Sequence, residues 1–187
     1  MLITAFPRSG SHFLRESIML NYNIEGHIDK THTPDRGRNA VTIIRHPKDC
    51  IPSLISMDIL FHRPTYLSEH EPDAFFIQRI NQLSSAYIDS IEYYHKYIKE
   101  IYPINFNDLI LNPDIEIKKL LDHYNIKYKY KKSLIKIKDD YNLNFVASSK
   151  NIKEYNGIYE LVKPLIINAE LVYESMIKAI NNKEYIY

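Results

Sequence analysis

A short segment near the amino terminus combines the residue types that bind anions. The apolar run Leu2–Phe6, stopped by Pro7, predicts a buried strand, and His12–Asn21 has apolar residues at helical spacing. A turn between a strand and a helix directs backbone N–H groups and the positive end of the helix dipole at one point. This turn contains Arg8, Ser9, Gly10 and Ser11. The segment therefore predicts a phosphate or sulfate site, although an ordinary strand-to-helix turn would use the same small residues.

The same turn lacks the spacing of a Walker A loop. That motif requires a glycine, four further residues, and then Gly-Lys-Ser or Gly-Lys-Thr. The chain has only four glycines, and none of them is followed by lysine. A Walker-type nucleotide loop is therefore excluded.

A second group of polar residues follows the strongest strand pattern, Ala40–Ile44. Arg45 comes directly after this strand, and Ser53 lies about one turn inside the helix predicted for Cys50–Phe61. Asp49 is placed to cap that helix. Open α/β sheets bind ligands at the carboxyl ends of their strands, so Arg45 and Ser53 can face one anion. A surface arginine before a capped helix would give the same pattern.

An ammonium and an imidazole occur together at the end of the strand predicted for His27–Thr31. Lys30 and His32 are two residues apart, so in an extended segment they point to the same side. Histidine can take a proton near neutral pH, which makes His32 a candidate general base. A structural histidine is the alternative.

The remaining patterns alternate strands with helices, which predicts an α/β fold with a parallel sheet. A polar loop is expected at Arg63–Asp73. Further predicted elements are a long helix from Ala74 to about Glu100, a strand at Ile101–Phe106, a helix from Pro113 to about Tyr124, and a last helix from Tyr159 to Ile180 that bends at Pro164.

Composition limits the class of protein. The chain has 187 residues, with 24 Lys+Arg against 23 Asp+Glu, and its net charge is +1. We expect one domain, residues 1–187, and no role in coating nucleic acid or an anionic membrane. One cysteine excludes an internal disulfide and a cysteine-based zinc site, and we find no membrane-length apolar run or signal-peptide pattern. We therefore expect a cytoplasmic protein.

Taken together, these segments resemble the sulfotransferases that use 3′-phosphoadenosine 5′-phosphosulfate (PAPS). Pro7–Ser11 is similar to the family's 5′-phosphosulfate loop, Pro-Lys/Arg-Ser-Gly-Ser/Thr. Arg45–Ser53 resembles its 3′-phosphate signature, in which a serine follows an arginine after eight residues. Lys30–Pro34 is similar to the Lys-Thr-His-x-Pro segment of cytosolic members, and Phe106–Pro113 to a later Tyr-Glu-Asp-Leu motif. Ser148–Lys150 resembles the late nucleotide-binding loop.

The resemblance implies a three-layer, P-loop NTPase-like sulfotransferase fold, as in a short bacterial or viral member, with cytoplasmic location in the bacterium or in the host cell. It implies PAPS as co-substrate, no metal, and a hydroxyl or amine acceptor on a glycan or small molecule. His32 would be the base, with Lys30 and Arg8 stabilising developing charge. The implied nucleotide-binding residues are Arg8, Ser9, Gly10, Ser11, His12, Phe13, Arg45, Ser53, Ser149 and Lys150.

Two other functions remain open. A P-loop-type kinase of a small metabolite would share the opening strand, loop and helix, although the chain has no Gly-Lys-Ser/Thr and no obvious Walker B acid. A non-catalytic nucleotide-binding protein of the same fold is the other alternative. The retained Lys30 and His32 argue against it.

Three further patterns favour ordinary structure. The lysine- and tyrosine-rich run Lys127–Lys138 is typical of a solvated strand or hairpin face, with contact to nucleic acid or an anionic glycan as the alternative. Cys50 is expected to be a small buried apolar residue. The tyrosines expected to pack along the long helix are Tyr87, Tyr93, Tyr94 and Tyr97.

Overall fold

A four-stranded parallel sheet forms the centre of the protein. The computed structural model of the chain describes residues 1–55, 72–131 and 162–185. The strands of the sheet are β1 (Leu2–Thr4), β3 (Asp29–Thr31), β4 (Ala40–Ile44) and β5 (Ile101–Asn105), in the spatial order β3-β1-β4-β5. All three pairings are parallel, with Ile3 opposite both Lys30 and Val41. The prediction of an α/β fold with a parallel sheet is confirmed.

Helices cover both faces of this sheet. On one face, Val41 and Ile43 pack with residues of α1 (Ser11–Asn21) and α5 (Pro113–His123). On the other face, Ala40 and Ile44 pack with α2, helical over residues 47–55, and with α3 (Pro72–Lys96) and α6 (Ile167–Asn181). All five residues of β4 are buried, as expected for a strand that is covered on both sides.

The strand order creates a topological switch point between β1 and β4. From β1 the chain passes through α1 to β3 on one side, and the chain after β4 reaches β5 on the other side. Connections that leave neighbouring strands in opposite directions open a crevice at the carboxyl ends of those strands. Residues 5–10 after β1 and residues 45–46 after β4 border this crevice, which is where both predicted anion-binding segments lie.

Helix α2 begins earlier than the sequence predicts. Its first helical residue is Pro47 instead of Cys50, and proline fits there because a first-turn N–H has no partner within the helix. Asp49 therefore lies inside the first turn, and the prediction that it caps the helix is wrong. The predicted end at Phe61 lies outside the described residues.

Helix α3 differs from its prediction at both ends. It begins at Pro72, so the loop predicted for Arg63–Asp73 is wrong at its last two residues, and residues 63–71 lie outside the described part of the chain. The helix ends at Lys96 because residues 97–100 form turns that lead directly into β5.

Side-chain capping explains a short helix that the sequence patterns do not predict. β5 ends at Asn105, one residue before the predicted end, and the Asn105 side chain accepts a hydrogen bond from the Asn107 N–H (2.9 Å). This contact starts α4, Phe106–Leu111. β1 likewise ends two residues early, at Thr4 instead of Phe6.

A two-stranded antiparallel ribbon lies beside α1. Strand β6 (Tyr128–Tyr130) pairs with β2 (Tyr22–Ile24), which the sequence patterns do not predict. The ribbon confirms a strand within the lysine- and tyrosine-rich run, whose residues from 132 to 138 lie outside the described ranges. The ring of Tyr22 lies 5.6 Å from that of Tyr128 and 5.1 Å from that of Tyr130, measured between centroids.

The chain enters its last helix through a break. Residues 162–165 are helical, and α6 starts at Ile167, so the interruption lies at Ile166, two residues after the predicted bend at Pro164. The predicted start at Tyr159 is outside the described residues. Within the described ranges, no helix is both long enough and apolar enough to cross a membrane.

Candidate functional site

The loop after β1 is folded by two residues in left-handed conformations. Arg8 has φ of 64° and Gly10 has φ of 98°. Between them, the Ser9 N–H donates to the Phe6 carbonyl (3.2 Å) and closes a turn. Gly10 is the N-cap of α1 and has no side chain to bond the first N–H groups of the helix. The positive end of the α1 dipole therefore faces the loop.

Gly10 is required because an aromatic ring occupies the space of a side chain. A Cβ built on Gly10 would lie 2.7 Å from Cε2 and 2.8 Å from Cδ2 of Phe106. The same ring lies under Arg45, whose guanidinium carbon is 4.4 Å from the ring centroid. Phe106 thus packs against both the loop and Arg45, a role that the sequence patterns do not indicate.

The two predicted anion-binding segments meet in one site. The Nε of Arg8 donates to the Ser53 hydroxyl (3.0 Å), and the Nη1 of Arg45 donates to the Arg8 carbonyl (2.7 Å). Burial lowers the pKa of Arg8, and the nearby positive charge of Arg45 lowers it further. Two guanidinium groups that repel each other at a half-buried position favour an anion between or beside them.

Two buried polar atoms of this site have no hydrogen-bond partner among the described residues. They are the hydroxyl oxygen of Ser9, a residue that is 1% exposed, and the Nε of Arg45. A buried donor without an acceptor costs about 1–3 kcal/mol. Because both groups can donate and both belong to the predicted segments, the site fits a ligand that carries acceptor oxygens.

Neighbouring buried residues hold Arg45 in place. The hydroxyl of Tyr87, a fully buried residue of α3, donates to the Arg45 carbonyl (2.8 Å). Tyr87, Tyr93 and Tyr94 of α3, and Tyr97 directly after it, pack against the core as predicted, and Tyr87 and Tyr94 are completely buried. Cys50 is buried as predicted, and burial raises its pKa to about 12, so its thiol is not a nucleophile at neutral pH.

His32 lies beside the start of the loop with one nitrogen held by the backbone. Its Nδ1 is 3.0 Å from the carbonyl oxygen of Ala5, which can only accept, so Nδ1 carries the proton. In the neutral imidazole, Nε2 then has the free electron pair and is the nitrogen that can take a proton. His32 is exposed, as access to an acceptor would require.

No contact among the described residues joins Lys30 to the site. Lys30 is an exposed residue of the edge strand β3, opposite Ile3 and before the end of the strand. Over the described ranges, no hydrogen bond or ion pair links its ammonium to the loop.

The other predicted binding residues lie at the start of α1 or outside the described chain. Ser11 is buried and is the first residue of α1. His12 is half exposed, with its Nδ1 4.0 Å from a Glu16 carboxylate oxygen, and Phe13 packs partly buried against the core on the α1 face. Ser149 and Lys150 fall within 132–161, outside the described residues.

The site therefore consists of Arg8, Ser9, Gly10, Ser53 and Arg45, with His32 on the β3 side and Phe106 beneath. The sequence patterns did not assign Phe106 or Tyr87 to the site, and the one available signal was an aromatic residue at the end of the strand predicted for Ile101–Phe106. Comparison of the chain with protein-family models, with curated proteins and with solved structures found no match.

Proposed function

We propose that the chain is a PAPS-dependent sulfotransferase with a P-loop-like sulfotransferase fold. It would move a sulfuryl group from PAPS to a hydroxyl or amine of a glycan or small molecule. The observation that carries the proposal is the junction of Arg8, Ser53 and Arg45. The segments that resemble the family's 5′-phosphosulfate and 3′-phosphate motifs are 45 residues apart in sequence, yet a hydrogen bond of 3.0 Å joins them.

The site's chemistry supports binding of a ligand with several anionic oxygens. Two guanidinium groups, the buried Ser9 hydroxyl and the start of α1 all present donors at the switch point of the sheet. On this proposal Arg8, Ser9, Gly10, Ser11 and His12 hold the 5′ end of the nucleotide. Arg45 and Ser53 hold the 3′-phosphate, which separates this nucleotide from ATP.

The proposed reaction requires alignment and charge stabilisation more than covalent catalysis. The bond between sulfur and the bridging oxygen of the 5′-phosphate breaks, and a bond forms between sulfur and the acceptor oxygen or nitrogen. The acceptor's proton passes to Nε2 of His32, and the 3′,5′-bisphosphate nucleotide leaves with the negative charge. Arg8 and the first N–H groups of α1 stabilise that charge. A role for Lys30 rests on the resemblance alone.

Nucleotide binding tests the first half of the proposal. Adenosine 3′,5′-bisphosphate should raise the melting temperature more than adenosine 5′-monophosphate does. Arg45→Ala should weaken binding of the bisphosphate by about 1–3 kcal/mol, roughly 5- to 150-fold, because a charged hydrogen bond is lost. Arg36→Ala is the matched control, since Arg36 is exposed and pairs with Glu100 instead of with Arg8, Ser53 or Arg45. Stabilisation by ATP with magnesium, without stabilisation by the bisphosphate, would favour the P-loop-type kinase instead.

Transfer from labelled PAPS to a panel of glycans, phenols and amines tests the second half. His32→Ala should abolish transfer and leave affinity for the bisphosphate within a few-fold. His27→Ala is the control, because His27 is an exposed histidine that contacts Asp29. Binding of the bisphosphate without transfer by the wild-type chain would favour the non-catalytic alternative, and full activity of His32→Ala would exclude His32 as the base.

A further inference from the structure

The hydroxyl of Thr4 lies at the centre of a buried hydrogen-bond cluster at the end of β1. Thr4 is fully buried, and its Oγ1 lies 3.0 Å from the Thr33 carbonyl, 3.1 Å from the Asp35 N–H nitrogen and 3.2 Å from the Tyr94 hydroxyl. A carbonyl only accepts, so the single hydroxyl proton of Thr4 goes to Thr33. The Asp35 N–H and the Tyr94 hydroxyl must then both donate to Thr4.

These bonds fasten the segment that carries His32. Before His32, the Thr31 carbonyl accepts a hydrogen bond from the Ala5 N–H (3.3 Å), which extends the pairing of β3 with β1. After His32, both Thr33 and Asp35 are attached to the one hydroxyl of Thr4. The side chains of His32, Thr33 and Asp35 are exposed, so packing contributes little to holding this segment.

We propose that Thr4 is a positioning residue for His32. Its hydroxyl holds the backbone of Thr33 and Asp35, the residues that follow His32. This keeps Nδ1 of His32 hydrogen-bonded to the Ala5 carbonyl and leaves Nε2 pointing away from that carbonyl. Tyr94, from α3, donates to the same oxygen and connects the core to this segment. The inference rests on the proposed function in so far as His32 is the base, but the hydrogen bonds that it concerns exist whatever the reaction is.

Three variants of the full chain distinguish the effect of the Thr4 hydroxyl from the effect of the side chain's shape. Thr4→Val keeps the branched shape and removes the hydroxyl, whereas Thr4→Ser keeps the hydroxyl. Ser90→Ala is the control for loss of a buried hydroxyl. Ser90 lies one turn before Tyr94, and its one hydrogen bond among the described residues is within α3, to the Ala86 carbonyl (2.7 Å). Thermal denaturation of each variant tests whether it is folded at the assay temperature.

Transfer kinetics give the first readout. Thr4→Val should lower kcat by about 10- to 100-fold, the range expected for a misplaced catalytic group, and leave affinity for adenosine 3′,5′-bisphosphate within about threefold. Thr4→Ser should restore most of kcat, and Ser90→Ala should retain it. The inference is overturned if Thr4→Val keeps the wild-type kcat, if Thr4→Ser is equally impaired, or if nucleotide affinity falls as much as kcat.

Hydrogen exchange gives a second readout that needs no enzyme activity. By NMR, the Asp35 amide and the His32 Nδ1 proton should be protected in the wild type, in Thr4→Ser and in Ser90→Ala, and should lose protection in Thr4→Val. Unchanged protection in Thr4→Val would overturn the inference. A wild-type chain without transfer to any acceptor would overturn the proposed function, and the exchange result would still decide whether Thr4 holds the segment.

Discussion

Alanine in place of Gly10 would place a methyl group where the ring of Phe106 lies. A left-handed conformation such as φ of 98° costs an ordinary residue about 1–2 kcal/mol. The new Cβ would also lie 2.7 Å from the ring, and forcing an extra carbon into packed space costs about 1–3 kcal/mol. Gly10→Ala should therefore lower the free energy of unfolding by about 2–5 kcal/mol, a large part of the usual ~5–15 kcal/mol.

Gly26 provides the matched control for the backbone contribution. It has φ of 102°, and nothing lies within 4 Å of a Cβ built on it. Gly26→Ala should therefore cost only the backbone part, about 1–2 kcal/mol. The difference between the two variants measures the contact between the loop and Phe106.

A double variant isolates that contact. Phe106→Leu replaces the ring with a smaller side chain. Gly10→Ala should therefore lower the free energy of unfolding by about 1–3 kcal/mol less in the Phe106→Leu background than in the wild type. Urea denaturation of the wild type, the single variants and the double variant supplies the four free energies. Equal destabilisation by Gly10→Ala and Gly26→Ala, or strict additivity of Gly10→Ala with Phe106→Leu, would refute the packing on which the loop geometry depends.

Two further predictions concern a partly buried histidine and a buried cysteine. Burial, followed by the charge of Lys48, lowers the pKa of His46 below its ordinary value of 6.5, although Glu170 at 3.9 Å opposes this shift. As the pH falls, His46 therefore takes up its proton at a higher pH in the unfolded chain than in the folded chain. The resulting stability is present above about pH 6.5 and is lost progressively as the pH falls below 6.5 towards the lowered pKa of the folded state. Urea denaturation at about pH 8 and about pH 5.5 should show a smaller loss in His46→Gln than in the wild type, and an equal loss would contradict this assignment. The buried Cys50 thiol, with a pKa of about 12, should react with a disulfide reagent only after unfolding, so rapid reaction of the native chain would contradict its burial.

The buried strands of the sheet, β1, β4 and β5, could be predicted because each of them is encoded locally. All of β4, Ala40–Ile44, is apolar or β-branched and is followed by charged residues, and the apolar run that contains β1 stops at Pro7. Such runs need no knowledge of distant residues. The ends of the helices were predicted less well because they depend on individual caps and turns: α2 begins at Pro47 and α3 at Pro72, where a missing N–H is tolerated.

Short elements escaped prediction for a different reason. Strand β2 is only three residues long and is stabilised by pairing with β6, more than a hundred residues later. Helix α4 has six residues and depends on the side chain of Asn105. Segments of this length contain too few residues for a period to emerge, so tertiary contacts determine their structure.

By itself the sequence determined the residue types of the site and the elements that carry them. Arg8, Ser9 and Gly10 follow a strand and precede a helix, and such a turn points donors at an anion whatever surrounds it. The sequence also placed His32 at the end of a strand.

Only the tertiary structure decided how these residues meet. The strand order brings the ends of β1 and β4 together, which lets Arg8 reach Ser53 and lets Arg45 bond to the Arg8 backbone. The same order placed Lys30 on the edge strand β3, beside β1. The fit of Phe106 against Gly10 likewise joins residues from distant parts of the chain. The physical reason is that hydrophobic periodicity reports which face of an element is buried, whereas the identity of the neighbour depends on how the elements are ordered in space.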